Sequence, residues 1–230
     1  MASTERASQP LLIVFARALQ AGRVKTRLIP DFGEEGALTL YRLLLTRTIA
    51  AACDFPGQVQ LWLDQADAEL QALAERNGWS CHLQQGEDLG EKMAQALSRG
   101  LAQADQVLLV GSDCAVLDQD YFERALQALD KAPVVFGPSE DGGYVLIGSS
   151  SQALWHPQRF RGVRFGGEQA LADIDAVASW SSLHKDAEVL DRYPDGRPHH
   201  VRATVKIMGI SDREILEYHW GEDWVVWDAA

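Results

Sequence analysis

The sequence predicts an α/β protein: a mostly parallel central sheet with helices on both faces. Three observations lead there. Leu11–Ala16 is a continuous apolar run of strand length, the pattern of a strand covered on both sides. A second run of this kind, Gln106–Val110, leads into Gly111-Ser-Asp-Cys114. Between and after them, strand-length segments alternate with stretches of helical period, in the order β-α-β-α-β-α-β-α-β.

Taken in order, the first strand is followed by a Gly/Pro-punctuated loop from about Arg17 to Gly33. Ala37, Leu40, Tyr41, Leu44 and Thr48 then recur at helical spacing and predict a long helix. Gln58–Leu63 alternates polar and apolar residues and reads as the second strand. Ala66–Asn77 reads as a helix stopped by Gly78, and Cys81–Gln84 as a short strand. Asp88 is placed to cap a helix that carries Met93, Leu97 and Leu101 on one face. After the strand at Gln106–Val110, Asp118 or Gln119 opens a helix through Leu129. Val134–Gly137 and Tyr144–Ile147 are strands flanking Pro138-Ser-Glu-Asp-Gly-Gly143.

Beyond Ser149 the pattern weakens. Glu168–Val177 has the character of a short helix, Asp191–His200 is turn-rich, and Val201–Ile207 alternates like a strand. Ser211–Ala230 reads as a helix displaying Trp220, Trp224 and Trp227. With no repeat and no low-complexity linker, residues 1–230 are expected to form a single domain. Its core would be 11–150, and 151–230 a variable region and C-terminal extension.

Composition narrows the function. The 230 residues are 47% hydrophobic and 23% charged, ordinary for a globular protein. No apolar run approaches the ~18–20 residues needed to span a bilayer, and Met1–Pro10 lacks the apolar centre of a secretory signal. Cys53, Cys81 and Cys114 are too scattered for a disulfide framework or zinc site, which suits a reducing cytoplasm. A formal net charge of −12 argues against a nucleic-acid partner. Within residues 1–30, however, Arg6, Arg17, Arg23, Lys25 and Arg27 face Glu5 alone. A small basic patch in an acidic chain suggests a compact anionic ligand.

Four segments could carry chemistry. In Gly22-Arg-Val-Lys-Thr-Arg27, just past the first strand, Gly22 permits close backbone approach, and Lys25 and Arg27 offer charge-assisted bonds to phosphate oxygens. Ligands gather at such strand ends in open α/β sheets, which also draws in Ala16 and Arg17. The alternative is a solvated basic loop. In Gly111-Ser-Asp-Cys114, Asp113 ends an apolar strand, where a carboxylate can hold a divalent ion that bridges phosphates, or else serve as a turn residue. Glu140-Asp-Gly-Gly-Tyr144 places Asp141 beside two glycines that allow a close ligand approach. Read alone, it is as readily a β-turn. In Glu87-Asp-Leu-Gly-Glu-Lys92, a helix N-terminus flanked by Lys92 is an anion site, while Asp88 suffices as a simple cap. His199-His200 are read as surface residues.

Together and in this order, Phe15-Ala-Arg17, Gly22-Arg-Val-Lys-Thr-Arg-Leu28, Asp88-Leu-Gly-Glu-Lys92, Gly111-Ser-Asp-Cys114 and Gly137-Pro-Ser-Glu-Asp-Gly-Gly-Tyr144 carry a family resemblance. The chain resembles the bacterial glycosyltransferase-like proteins of the nucleotide-diphospho-sugar transferase superfamily. That group is known as domain of unknown function 2064, or "transferase 1, rSAM/selenodomain-associated". The resemblance implies a Rossmann-like GT-A fold that binds a nucleoside diphosphate or triphosphate with Mg²⁺ or Mn²⁺. It implies that Ala16, Arg17, Gly22, Lys25, Arg27, Asp88 and Lys92 serve the nucleotide and its phosphates. Asp113 would be the metal-associated carboxylate and Asp141 the second catalytic one. Gly142, Gly143 and Tyr144 would line the sugar or acceptor side. The chain departs from the family at Arg17-Ala-Leu19, where Lys-x-Pro is usual, and at Ala115, where proline is usual. It has Arg164-Phe-Gly-Gly167 in place of the usual Trp-Gly or Trp-Ser pair, and no Asp-x-Asp after Asp175.

The expected activity is therefore metal-assisted transfer of a sugar from a nucleoside-diphosphate donor to a small-molecule acceptor. Two alternatives stand beside it. One is nucleotidyl transfer from a nucleoside triphosphate with release of pyrophosphate. The other is a non-catalytic nucleotide- or partner-binding role. No nucleic-acid or membrane partner is expected, and the aromatic tail points to a possible homo-oligomer surface.

Overall fold

The computed structural model describes residues 9–112, 114, 117–138, 144–155 and 226–227. The first strand, β1 (Leu11–Ala16), is buried along its whole length. It lies between two parallel neighbours, β2 (Gln58–Leu63) and β4 (Val107–Gly111), with Leu12 opposite both Val59 and Leu108. β3 (Ser80–Leu83) extends the parallel set beyond β2. On the other side stand β6 (Tyr144–Ser149), β5 (Val134–Pro138) and the two-residue β7 (Val226–Trp227), giving the order β3-β2-β1-β4-β6-β5-β7.

β6 runs antiparallel to both β4 and β5. The chain length explains this. Five residues, 139–143, separate β5 from β6, whereas a parallel connection needs a crossover of a dozen or more. The sheet is thus mostly parallel, with β6 inserted between two strands that share a direction.

Alternate residues of β1 feed two cores. Leu12, Val14 and Ala16 face α1 (Ile29–Cys53), α2 (Ala68–Arg76) and α4 (Gln119–Leu129), through Tyr41, Leu45, Leu70, Ala74, Phe122 and Leu129. Leu11, Ile13 and Phe15 face α3 (Leu89–Leu101), through Met93, Ala94 and Leu97. Helices therefore cover both faces, as the apolar run of β1 requires.

Three helix starts follow from side-chain caps that satisfy otherwise orphaned N–H groups. Asp67 accepts from the Leu70 N–H, Asp88 from the Glu91 N–H and Asp118 from the Tyr121 N–H. The cap at Asp67 starts α2 at Ala68, later than the expected Ala66. The loop after β1 also holds more structure than expected. A 3-10 turn occupies Thr26–Leu28, and α1 begins at Ile29, broken at Gly33 by φ 69° and ψ 172°. On the buried face of α1, Leu45 takes the place expected of Leu44, which is half-buried together with Leu40.

The tail differs from expectation at Val226–Trp227, which pairs antiparallel with β5 where a helix was anticipated. A bare sheet edge offers unpaired backbone groups, and a β-branched residue beside an aromatic one suits a strand there. The elements expected at 168–177 and 201–207, and Trp220 and Trp224, lie outside the described residues.

Candidate functional site at the carboxyl edge of the sheet

The carboxyl ends of β1, β2, β3 and β4 open onto one edge, and the segments that leave them are tied together by side chains. Past Ala16 the chain turns away from the sheet under three restraints. The Arg17 N–H donates to the Tyr41 hydroxyl at 2.8 Å, the Ala18 N–H to Asp64 Oδ1 at 2.8 Å, and the Leu19 N–H to Asp67 Oδ2 at 2.7 Å. Asp64 directly follows β2, and Asp67 caps α2, so two carboxylates from the β2–α2 connection grip the start of the basic loop. Ala18 and Val24 are buried beneath it.

These restraints leave the rest of the loop to face outward. Arg17, Arg23 and Arg27 are exposed and Lys25 is half-buried. The Arg17 guanidinium donates to the Arg23 carbonyl at 3.1 Å and braces the loop from its own side chain. Two positions adopt left-handed backbone: Gly22 (φ 76°) and Lys25 (φ 46°). At Gly22 a side chain would also crowd the Glu34 carboxylate, about 3.2 Å from the site of its Cβ. Lys25 tolerates a conformation that ordinarily costs a non-glycine residue about 1–2 kcal/mol. Strain of this kind in a loop at the carboxyl edge accords with a functional position.

The end of β3 is sewn to the same edge. Gln84 Nε2 donates to the Trp62 carbonyl at 2.9 Å and to the Ala16 carbonyl at 3.4 Å. Ala16 thus serves through its backbone, because its carbonyl also accepts from the Asp64 N–H at 3.1 Å. The following turn leads to α3, where the Asp88 carboxylate accepts from the Glu91 N–H at 2.8 Å and the Glu91 carboxylate accepts from the Glu87 N–H at 3.1 Å. Asp88 therefore acts as a helix cap, with Lys92 half-buried one turn on.

At the end of β4, Ser112 is buried, and its hydroxyl lies 2.9 Å from that of Tyr41. The next residue is Asp113. Asp113, Asp141, Gly142 and Gly143 lie outside the described residues. Tyr144 opens β6. Its ring meets Phe136 edge-on at 5.5 Å between centroids, and its hydroxyl donates to Met93 Sδ at 3.6 Å. Burial holds its phenol well above the ordinary range, so it acts as a neutral packing group with a short polar reach.

Among the described residues no three His, Cys, Asp or Glu side chains cluster as a metal site. The carboxylates of Asp64, Asp67 and Asp88 are all committed to backbone N–H groups. Charge clustering marks the basic loop but not its supports. Tyr41 reads as one more core position, and Asp67 falls inside the helix expected over Ala66–Asn77. The detectable signal was Asp67 standing three residues before Leu70, the spacing of an N-cap.

The comparisons with known proteins agree with this architecture. A family model described as "Uncharacterized protein conserved in bacteria (DUF2064)" matches residues 48–167. The chain belongs to that family. Among solved structures, it resembles a protein from Desulfovibrio desulfuricans G20 described as a "putative nucleotide-diphospho-sugar transferase". The identity is 28% and the TM-score 0.64, over 74% of this chain and 75% of that one. A nucleotidyl transferase from Methanothermobacter is 16% identical, with a TM-score of 0.48 over 73% of this chain and 83% of that one. A cytidylyltransferase from Leptospira borgpetersenii is 12% identical, with a TM-score of 0.45 over 74% and 71%. No curated protein matches the chain. No helix among the described residues is long and apolar enough to cross a membrane.

Proposed function

We propose that the protein is a nucleotide-dependent transferase that moves a sugar from a nucleoside-diphosphate donor to a small-molecule acceptor. The observation that carries this reading is the loop after β1. It presents Arg17, Arg23, Lys25 and Arg27 from a backbone gripped by Asp64, Asp67 and Tyr41. The family and the likeness to the Desulfovibrio protein support it.

In this reaction an acceptor hydroxyl attacks the anomeric carbon, the bond from that carbon to the diphosphate breaks, and the nucleoside diphosphate departs with the bonding electrons. Lys25 and Arg27 neutralise the charge that builds on the leaving oxygens, and a held loop does so without reorganising. Lys92, at the start of α3, adds a cation where the helix N-terminus already favours an anion. Asp141 takes the proton of the acceptor hydroxyl, and Gly142 and Gly143 admit the sugar closely beside Tyr144. A Mg²⁺ or Mn²⁺ ion is proposed at Asp113. Asp113 would hold such an ion together with the bound diphosphate, and the ion would supply charge stabilisation to the leaving group.

A second reading is nucleotidyl transfer, with attack at the α-phosphate and loss of pyrophosphate. The number of cations on the loop favours it, because four side chains match a triphosphate better than a diphosphate.

Titration of nucleoside di- and triphosphates with Mg²⁺ or Mn²⁺ against wild type, Asp113→Ala and Lys25→Ala/Arg27→Ala tests both readings. Weakened binding in the double variant and loss of the metal dependence in Asp113→Ala are expected. Equal affinity in Asp113→Ala removes the metal role, and absence of all nucleotide binding sinks the function. Pyrophosphate release from a triphosphate decides for nucleotidyl transfer.

A further inference from the structure

Tyr41 stands on α1, outside every motif that marks the candidate site, yet its hydroxyl touches two of them. It lies 2.8 Å from the Arg17 nitrogen, 3.1 Å from the Arg17 carbonyl oxygen and 2.9 Å from Ser112 Oγ. A phenol has one proton to give and two lone pairs to receive. One assignment satisfies all three contacts. The Tyr41 O–H donates to the Arg17 carbonyl, while the Arg17 N–H and the Ser112 O–H both donate to the Tyr41 oxygen. Tyr41 and Ser112 are both almost wholly buried, at 3% and 6% exposed, so water does not readily replace a lost partner there.

The two ends of this bridge are far apart in sequence and adjacent in the proposed chemistry. Arg17 is the first residue of the loop that carries Arg23, Lys25 and Arg27. Ser112 is the last before Asp113. The strands beneath them, β1 and β4, are parallel neighbours, with Phe15 opposite Gly111, so both chains leave the sheet side by side. The helix that supplies the phenol packs on the same sheet through Tyr41, Leu45 and Thr48. A buried phenol hydrogen-bonded from a rigid helix to the two departing segments fixes where each begins, as a support for a preorganised site must.

We propose that Tyr41 is the positioning residue of the transferase site: it holds the basic loop and the β4 terminus at Ser112 as one unit, so that the phosphate cations are presented from a fixed place beside the end of β4. This rests on the proposed function for its chemistry, but the link itself can be read without any nucleotide.

The test compares the full chain with Tyr41→Phe and Leu45→Val. Leu45→Val trims the same helix face one turn away and serves as the control for lost stability. Hydrogen exchange should quicken at least about tenfold in Tyr41→Phe both in 17–28 and in 107–112, because loss of the hydroxyl leaves the Arg17 backbone and the Ser112 hydroxyl short of a buried partner, while Leu45→Val keeps that bridge and should not quicken the two segments together. Binding of inorganic pyrophosphate with Mg²⁺ should weaken about tenfold in Tyr41→Phe and remain at the wild-type value in Leu45→Val. Lys25→Ala should cost less in the Tyr41→Phe background than in wild type, a coupling that general loosening does not produce. Exchange in Tyr41→Phe that matches Leu45→Val overturns the link. Faster exchange with unchanged pyrophosphate affinity overturns the positioning role. If the wild-type protein binds neither pyrophosphate nor any nucleotide, the proposed function fails and the positioning role fails with it, while exchange still reports on the link.

Discussion

Asp67 and Leu19 are joined across the carboxyl edge of the sheet by a 2.7 Å bond from the Leu19 N–H to Asp67 Oδ2. The other oxygen of the same carboxylate accepts from the Leu70 N–H at 3.0 Å. One side chain thus caps α2 and anchors the basic loop. Asp67→Ala removes both acceptors, and about 2–3 kcal/mol of stability should be lost: about 1 for the cap and the remainder for a charge-assisted bond. Asp88→Ala, which loses a helix cap alone, should cost about 1 kcal/mol. Chemical denaturation of the two variants checks the difference, and equal losses would show that the Leu19 bond contributes nothing.

Gly137 and Tyr121 form a second pair. A Cβ at Gly137 would overlap the Tyr121 hydroxyl oxygen and press on Leu146 Cβ at 3.0 Å. That hydroxyl is buried and has no hydrogen-bond partner among the described residues. Burial, followed by the nearby Cys114 and Asp118, raises its ionisation well above the ordinary phenol range. Gly137→Ala should therefore destabilise by about 1–3 kcal/mol, as overpacking does. Tyr121→Phe should be neutral or stabilising, because it removes an unsatisfied group. The double variant should recover much of the loss, and strictly additive losses would refute the contact.

Lys25 separates backbone strain from charge. Alanine and glycine both remove the ammonium, but glycine alone relaxes the left-handed backbone at φ 46°. Relief of about 1–2 kcal/mol, less about 0.4–1 for the freer unfolded chain, leaves Lys25→Gly more stable than Lys25→Ala by about 0–1.5 kcal/mol. Both variants should lose phosphate affinity alike. A melting series paired with pyrophosphate titration would decide, and retained affinity in either variant would remove Lys25 from the site.

His82 offers a pH signature away from the site. Its imidazole lies 5.0 Å from the Trp62 ring, and Arg99 stands 5.0 Å over that same ring. Burial first, and the Arg99 charge second, lower its pKa from the ordinary 6.5. The folded state then binds fewer protons than the unfolded one just below that value. The contribution to stability is full above pH 6.5 and declines as pH falls toward the folded pKa. Melting temperatures from pH 8 to 5 should fall more steeply for wild type than for His82→Gln, and parallel profiles would contradict the assignment.

Much of this architecture is legible without coordinates, for identifiable reasons. The unbroken apolar run of β1, six residues long, suits a strand covered on both sides, and the caps at Asp88 and Asp118 follow from short acceptor side chains set before apolar helical patterns. The basic loop stood out because its cations cluster in an acidic chain. Misplacements occurred where local pattern competes with pairing. Leu44 and Leu45 both suit a buried helix face, and the rotation of α1 on the sheet selects Leu45. Val226–Trp227 is a strand-compatible pair too short to signal by itself, and it pairs with the edge of β5.

Local chemistry written along the chain, in turn residues, apolar period and charge clusters, was enough to specify the α/β class and to mark the loop after β1 as a phosphate candidate. What holds that loop could not be read this way. Tyr41, Asp64, Asp67 and Ser112 lie between 24 and 71 positions from their partners at Arg17, Ala18, Leu19 and Tyr41 respectively. A hydroxyl or carboxylate reveals nothing in sequence of which distant N–H it will meet. That choice follows from the parallel order of β2, β1 and β4, which brings three strand ends to one edge and lets buried polar groups find each other there.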